Sequence, residues 1–230
     1  MGLHVSSIQS TPTLDSVNRL LTVGYRPLAR QNMGVTEDTY GYFTQCGNFG
    51  WQPPKRFYQP QEAHALIELA PSSLKSEIVE IGQLPLYNQD GDANPPDQWT
   101  SFRQRVRAAD AVLFVTPEYN RSVPAPLKNA IDVGSRPYGQ SVWNGKPGAA
   151  VVSASPSAIG GFGANHHLRQ SLVFLNVPAM QQPEAYIGQA EKLFDSSSKL
   201  TNESTRKFLR DFMTAFSAWV EANSLLHSPS

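Results

Sequence analysis

Two short segments carry the side chains with most scope for chemistry. Pro117-Glu118-Tyr119-Asn120-Arg121-Ser122-Val123-Pro124 sets a carboxylate, a phenol, an amide and a guanidinium in consecutive positions. Such a run suits the border of a flat heteroaromatic ring with polar edges: an aromatic face to lie against, and donors and acceptors around it. The same composition also makes an ordinary turn between a strand and a helix, and position alone does not separate the two. Ser153-Ala154-Ser155-Pro156-Ser157-Ala158-Ile159-Gly160-Gly161 offers small residues and paired glycines, which let a ligand come close to the main chain. A flexible linker would have the same composition. His166 and His167 are adjacent, so on a helix they face different directions; with no carboxylate at metal spacing, no metal site is expected.

The elements that must hold these loops can be read from the apolar periodicity. Ala63 to Ala70 is a run of good helix formers stopped by Pro71, and Glu77 to Ile81 is a short strand ended by Gly82. Pro96 to Ala109 has helical spacing through Trp99, Phe102 and Val106. Ala111 to Thr116 is continuously apolar up to its last residue, the mark of a strand buried on both faces. Pro124 can open a helix running to Val133, because its missing N–H falls where helices have no use for one. Ala149 to Ala154 reads as a strand, Phe162 to Leu175 as a helix, and Pro178 to Met180 as the core of a short strand. Thr201 to Asn223 reads as a long helix, with Phe208, Phe212, Phe216 and Val220 forming one apolar stripe. Strands alternating with helices imply a parallel sheet with right-handed crossovers, whose ligand loops lie at the carboxyl ends of the strands. Both loops fall there. Trp143 and Trp219 read as packing residues, and Pro137 to Lys146 as a loop near the same rim, in reach of a neighbouring subunit.

Composition narrows the function classes. The chain has 19 basic and 19 acidic residues and no Lys/Arg run, which argues against a nucleic-acid or anionic-membrane partner. Its single cysteine, Cys46, permits neither an intrachain disulfide nor a cysteine-rich metal site, and fits a reducing compartment. No apolar run is long enough to span a bilayer and no secretory leader is visible, so a soluble, cytoplasmic protein is expected.

With their flanks, the loops become specific. The run PEYNRSVPAPLKNAIDVGSRP at 117–137 closely resembles the signature of the NADPH-dependent FMN reductase family, which includes chromate and quinone reductases. LPLYNQD at 84–90, SASPSAIGG at 153–161 and HLRQSLVFL at 167–175 resemble the same family in the same order, so the resemblance covers roughly residues 62 to 223. It implies an α/β, flavodoxin-like, doubly wound parallel sheet, non-covalent FMN, NADPH or NADH as co-substrate, and a homodimer or homotetramer. By motif position, Glu118, Tyr119, Asn120 and Arg121 would border the isoalloxazine, Pro117 would set the loop, and Ser155 would touch the flavin from the second loop. Hydride would pass from nicotinamide to flavin N5 and on to a quinone, metal oxyanion or azo dye. The cofactor supplies that chemistry, so no catalytic side chain is assigned, and Glu118 is expected to have a structural role.

Residues 1–61 do not fit this pattern. They are rich in Thr, Gln, Asn, Gly and Tyr, have no sustained period, and offer at most a short helix about Leu14 to Leu21. The family opens with an apolar strand and a Gly-Ser-Leu-Arg-x-x-Ser-x-Asn loop that holds the FMN phosphate at a helix N-terminus; neither motif is present. Read one base later, however, the codons from Trp51 onward permit Gly-Ser-Leu-Arg-Lys-Asp-Ser-Ile-Asn-Arg. Those of Cys46 to Gly50 permit Val-Ala-Ile-Leu-Val, and Tyr40 into Gly41 permits a start methionine. The expectation is that residues 40 to 61 are an out-of-frame translation and 1–39 translated upstream sequence, with residues 62–230 forming the flavodoxin-like domain. The alternative to an active reductase is then a non-catalytic protein that has lost FMN binding.

Overall fold

A computed structural model describes residues 18–24, 59–146, 150–154 and 157–224. In chain order the elements are β1 (Asn18–Gly24), α1 (Gln59–Leu69), β2 (Leu74–Glu80), α2 (Asp97–Ala108), β3 (Ala111–Thr116), α3 (Ala125–Gly134), β4 (Ala150–Ala154), α4 (Phe162–Phe174), β5 (Ala185–Ile187) and α5 (Glu203–Ser224). The sheet order is β2-β1-β3-β4-β5, with every pair parallel. The chain thus winds one way from β1 to β2 and the other way from β3 onward, the flavodoxin-like arrangement whose switch point lies between β1 and β3.

The alternation of a pleated strand divides the core. Ala111, Leu113 and Val115 of β3 join the cluster built with Ala63, Leu66 and Leu69 of α1 and Leu209, Phe212, Met213, Phe216 and Val220 of α5. Val112 and Phe114 face the opposite cluster, with Trp99, Phe102 and Val106 of α2, Leu127 and Ile131 of α3, and Leu168 and Leu172 of α4. Every residue of β3 is buried, as its unbroken apolar sequence requires of a central strand. Trp143 packs fully into the second cluster, and Trp219 packs against the first while donating from Nε1 to Pro178 O at 3.0 Å.

Three sequence expectations need correction. Residues 18–24 form a strand, not part of a helix: Leu21 pairs with Glu77 of β2 and with Val112 of β3. Main-chain pairing on both edges outweighs a local helical preference worth only tenths of a kcal/mol per residue, ~0–0.7. The strand expected at 178–180 is also absent, and Ala185–Ile187 pairs with β4 instead. Pro178 O and Met180 O are taken by Trp219 Nε1 and Arg169 Nη2, so that stretch bonds to side chains while Met180 plugs the core. Finally, Pro137 to Lys146 lies at the amino edge of the sheet, away from the ligand loops. It follows the carboxyl end of α3, which runs antiparallel to the strands, and Gly145 N donates to Asn176 O just beyond α4.

Candidate functional site

The segment after β3 folds into a two-residue hairpin turn. Tyr119 and Ser122 exchange N–H···O bonds, both 2.9 Å, around Asn120 (φ 50°) and Arg121 (φ 64°). Two consecutive left-handed residues define a type I′ turn. Asn accepts that conformation readily; Arg does so only when its surroundings enforce it. Glu118 is what enforces it. Its carboxylate accepts from Arg121 Nη1 at 2.7 Å and, on the other side, from the main-chain N–H of Ala164 at 3.1 Å. Burial opposes ionisation of Glu118, but the N–H groups of Ala164 and Gly163 and the Arg121 guanidinium outweigh it and hold the carboxyl below its ordinary range. Ser122 Oγ and His167 Nδ1, 2.9 Å apart, make a second tie to α4.

The contact between turn and helix leaves no room for a side chain. A Cβ on Gly163 would lie 2.7 Å from Arg121 O and 3.0 Å from Glu118 Oε2. The N-cap of α4 is Gly161 (φ 79°), which has no side chain to satisfy the first turn, so Glu118 serves that turn from the neighbouring loop. Gly160 (φ 66°) sits against the main chain of Tyr186, 2.6 Å from where its Cβ would stand. Each loop thus helps fix the other, at the carboxyl edge of β3 and β4. The Ser155 assignment lies outside the described residues, as do those of the frame reading from residue 40 to 58.

A third loop shares this edge. After β2, Asn129 of α3 accepts from Tyr87 N at 2.8 Å and donates to Leu84 O and Pro85 O, both 3.1 Å. Trp99 Nε1 adds a bond to Pro85 O at 2.8 Å, and Tyr87 Oη donates to Asp92 at 2.9 Å. Sequence reasoning did not single out Asn129. Its signal was available: an amide among the buried apolar positions Leu127, Ala130 and Ile131 must have partners.

The remaining unusual group is Glu62, in the first turn of α1. It is fully buried, neither oxygen has a hydrogen-bond partner among the described residues, and burial pushes its pKa up to about 8.

Glu118 is fully engaged in bonding, the one hydroxyl–imidazole pair at the turn, Ser122 with His167, ties it to α4, and no group of three or more His, Cys, Asp or Glu among the described residues could hold a metal ion. The arrangement can bind and orient. Its fit to a flat cofactor is good at the ring end: an exposed Tyr119 on a rigid polar turn, with glycines that let the two loops pack closely against their neighbours. The segment after β1, on the other side of the switch point, lies outside the described residues.

Comparison with known proteins agrees with this geometry. The family model for NADPH-dependent FMN reductases matches residues 58–192. A quinone reductase of Pseudomonas putida is 65% identical over 170 residues, 74% of this chain and 90% of that one. A 2-hydroxy-1,4-benzoquinone reductase of a Burkholderia species is 48% identical over 163 residues, 71% of this chain and 88% of that one. Among solved structures, FerB, a flavoenzyme NAD(P)H:(acceptor) oxidoreductase of Paracoccus denitrificans, superposes with a TM-score of 0.69 at 34% identity, covering 90% of this chain and 98% of that one.

Proposed function

Because the chain belongs to the NADPH-dependent FMN reductase family, we propose that it is an NAD(P)H-dependent, FMN-dependent oxidoreductase whose acceptor is a quinone. Bound FMN would supply the hydride-transfer chemistry, the overall reaction taking NAD(P)H, a solvent proton and a quinone to NAD(P)+ and the hydroquinone. Glu118, Tyr119, Asn120 and Arg121 border the ring system and Pro117 sets the loop; Ser155, which lies outside the described residues, belongs to the same site by motif position alone. Glu118 acts through its bonds to Arg121 and Ala164: it fixes the turn and moves no proton. The single observation carrying this reading is that mutual clamp between two loops at the carboxyl edge of the sheet, beside its switch point. Metal oxyanions and azo dyes are secondary acceptors, the assembly is a homodimer or homotetramer, and the compartment is the cytoplasm. No helix among the described residues is long and apolar enough to cross a membrane. The test is flavin release on denaturation together with NAD(P)H oxidation by quinones. A flavin-loaded protein that oxidises NAD(P)H but reduces no quinone would refute the acceptor assignment.

Glu62 favours a second reading, in which the chain as written holds FMN poorly. Residues 40 to 61 are then an out-of-frame translation, and the frame is restored at codons 61–62. A buried carboxylate with no partner, at that very junction and beside the core residues Ala63, Ala65 and Leu66, occupies a position suited to an apolar side chain. Sequencing the coding DNA across codons 38 to 64 decides the matter: an unbroken frame with no single-base change would end this reading.

A further inference from the structure

Leu86 is 80% exposed, yet the main chain on either side of it is tied to buried side chains. Pro85 O accepts from both Trp99 Nε1 and Asn129 Nδ2, and Tyr87 N donates to Asn129 Oδ1. Trp99 and Asn129 are themselves buried, and the Tyr87 ring lies against Trp99 with centroids 5.4 Å apart. A lone exposed leucine on a mobile loop would need no explanation. A leucine held in water by three hydrogen bonds between its neighbours' main chain and the buried Trp99 and Asn129 side chains is different, because that rigidity brings it no burial in return; fixed geometry of this kind is what ligand contacts require. The loop follows β2, at the same carboxyl edge as the Tyr119 turn after β3. β1 lies between β2 and β3, so the two loops stand about two strand spacings apart, ~10 Å, across the switch point.

We propose that Leu86 is an acceptor-specificity residue: it gives the rim facing Tyr119 an apolar contact that favours the ring of a quinone over a hydrophilic anion. Asn129 is the positioning residue that holds it there. This rests on the quinone reductase reading and goes beyond it by naming what selects the acceptor class.

The experiment compares the wild-type chain with Leu86→Ala and Asn129→Asp, using menadione as the apolar acceptor and ferricyanide as the hydrophilic one. FMN bound per chain is measured first, since absence of flavin would overturn the reductase reading and not this inference. In Leu86→Ala, the ratio of kcat/KM for menadione to that for ferricyanide should fall about tenfold, carried by KM. Asn129→Asp keeps the acceptor for Tyr87 N but loses both donors, so it should shift the same ratio in the same direction by a smaller factor. Quenching of tryptophan fluorescence by menadione, which needs no flavin, should require several-fold more quinone in Leu86→Ala. An unchanged acceptor ratio in flavin-loaded protein, or superimposable quenching curves in protein without flavin, overturns the proposal.

Discussion

Replacing Glu62 by leucine should stabilise this protein, and by an amount that grows with pH. The wild-type carboxyl is fully buried without a hydrogen-bond partner among the described residues, and its pKa rises from 4.5 to about 8. A group whose pKa is higher in the folded than in the unfolded state contributes stability below the unfolded value and loses it as pH rises towards the folded one. Between pH 4.5 and about 8 the unfolded chain releases this proton and the folded chain keeps it, so stability falls by about 1.4 kcal/mol per pH unit. Across the window that is on the order of 5 kcal/mol. The favourable placement of an acid in a first helical turn is worth at most about 1 kcal/mol, so burial wins. Leucine removes the titration and adds about 1.5–3 kcal/mol of apolar burial. At roughly 2–4 °C per kcal/mol for a chain of this size, the variant should melt about 5–10 °C higher at pH 5 and more than 10 °C higher at pH 8. The assay is thermal unfolding by far-UV circular dichroism from pH 5 to 9, with Glu62→Gln as a non-titrating polar control. A difference between variant and wild type that stays constant with pH, or a leucine variant that melts lower, would refute the reasoning.

The geometry sets four further outcomes. Gly163→Ala forces a Cβ to 2.7 Å from a main-chain oxygen, so the Tyr119 turn must move; strain of about 1–3 kcal/mol and a rise of tenfold or more in FMN Kd are expected by fluorescence titration. Glu118→Gln weakens the charge-assisted bonds to Arg121 and Ala164 by about 1.5–3 kcal/mol. Because that carboxyl titrates low in the folded protein, the stability it contributes at neutral pH is lost as pH falls through its depressed pKa, and urea unfolding of the variant should show a shallower acid slope. Asn129→Ala strands Leu84 O and Tyr87 N, and should reduce the unfolding free energy by about 1–3 kcal/mol and speed amide exchange at Tyr87. Leu21→Pro removes a main-chain donor from a strand paired on both edges, so it should lower stability by about 3 kcal/mol; an unchanged Tm would mean that β1 does not hold the sheet centre.

What the sequence reveals and what it hides have different physical origins. The spans read for α2, β3, α3, α4 and α5 lie within two residues of those observed, because each presents an apolar period to one of the two core clusters. β5 was misplaced because three residues hold too little pattern: Pro178 to Met180 is as apolar as Ala185–Ile187, and only the competition of Trp219 and Arg169 for its carbonyls separates them. β1 was hidden for another reason. Its strand character comes from partners at positions 74–80 and 111–115, which no local window contains. At the site, the motif around Tyr119 located the turn, whereas the use of Glu118 as a remote cap for α4, and Asn129 as the clamp of the third loop, depend on contacts across 46 and 42 residues of chain.

The two ends of the proposed cofactor site therefore stand on unequal footing. The ring end is built from β2, β3 and β4 and the loops after them, and the side chains described there fix one another: Glu118 needs α4, the α4 cap needs Glu118, and Asn129 ties the loop of β2 to α3. A phosphate end would depend on the segment that leaves the central strand, which lies outside the described residues. As the chain is written, β1 ends at Gly24 and α1 starts at Gln59, whereas a strand-to-helix connection in such sheets usually takes about 2–6 residues. The shifted frame would put an apolar strand and a Gly-Ser-Leu-Arg loop directly ahead of α1, a connection of ordinary scale with main-chain donors at a helix N-terminus. Both segments cannot occupy the one place between β2 and β3. Whichever is there determines whether the rim has a phosphate anchor to work with.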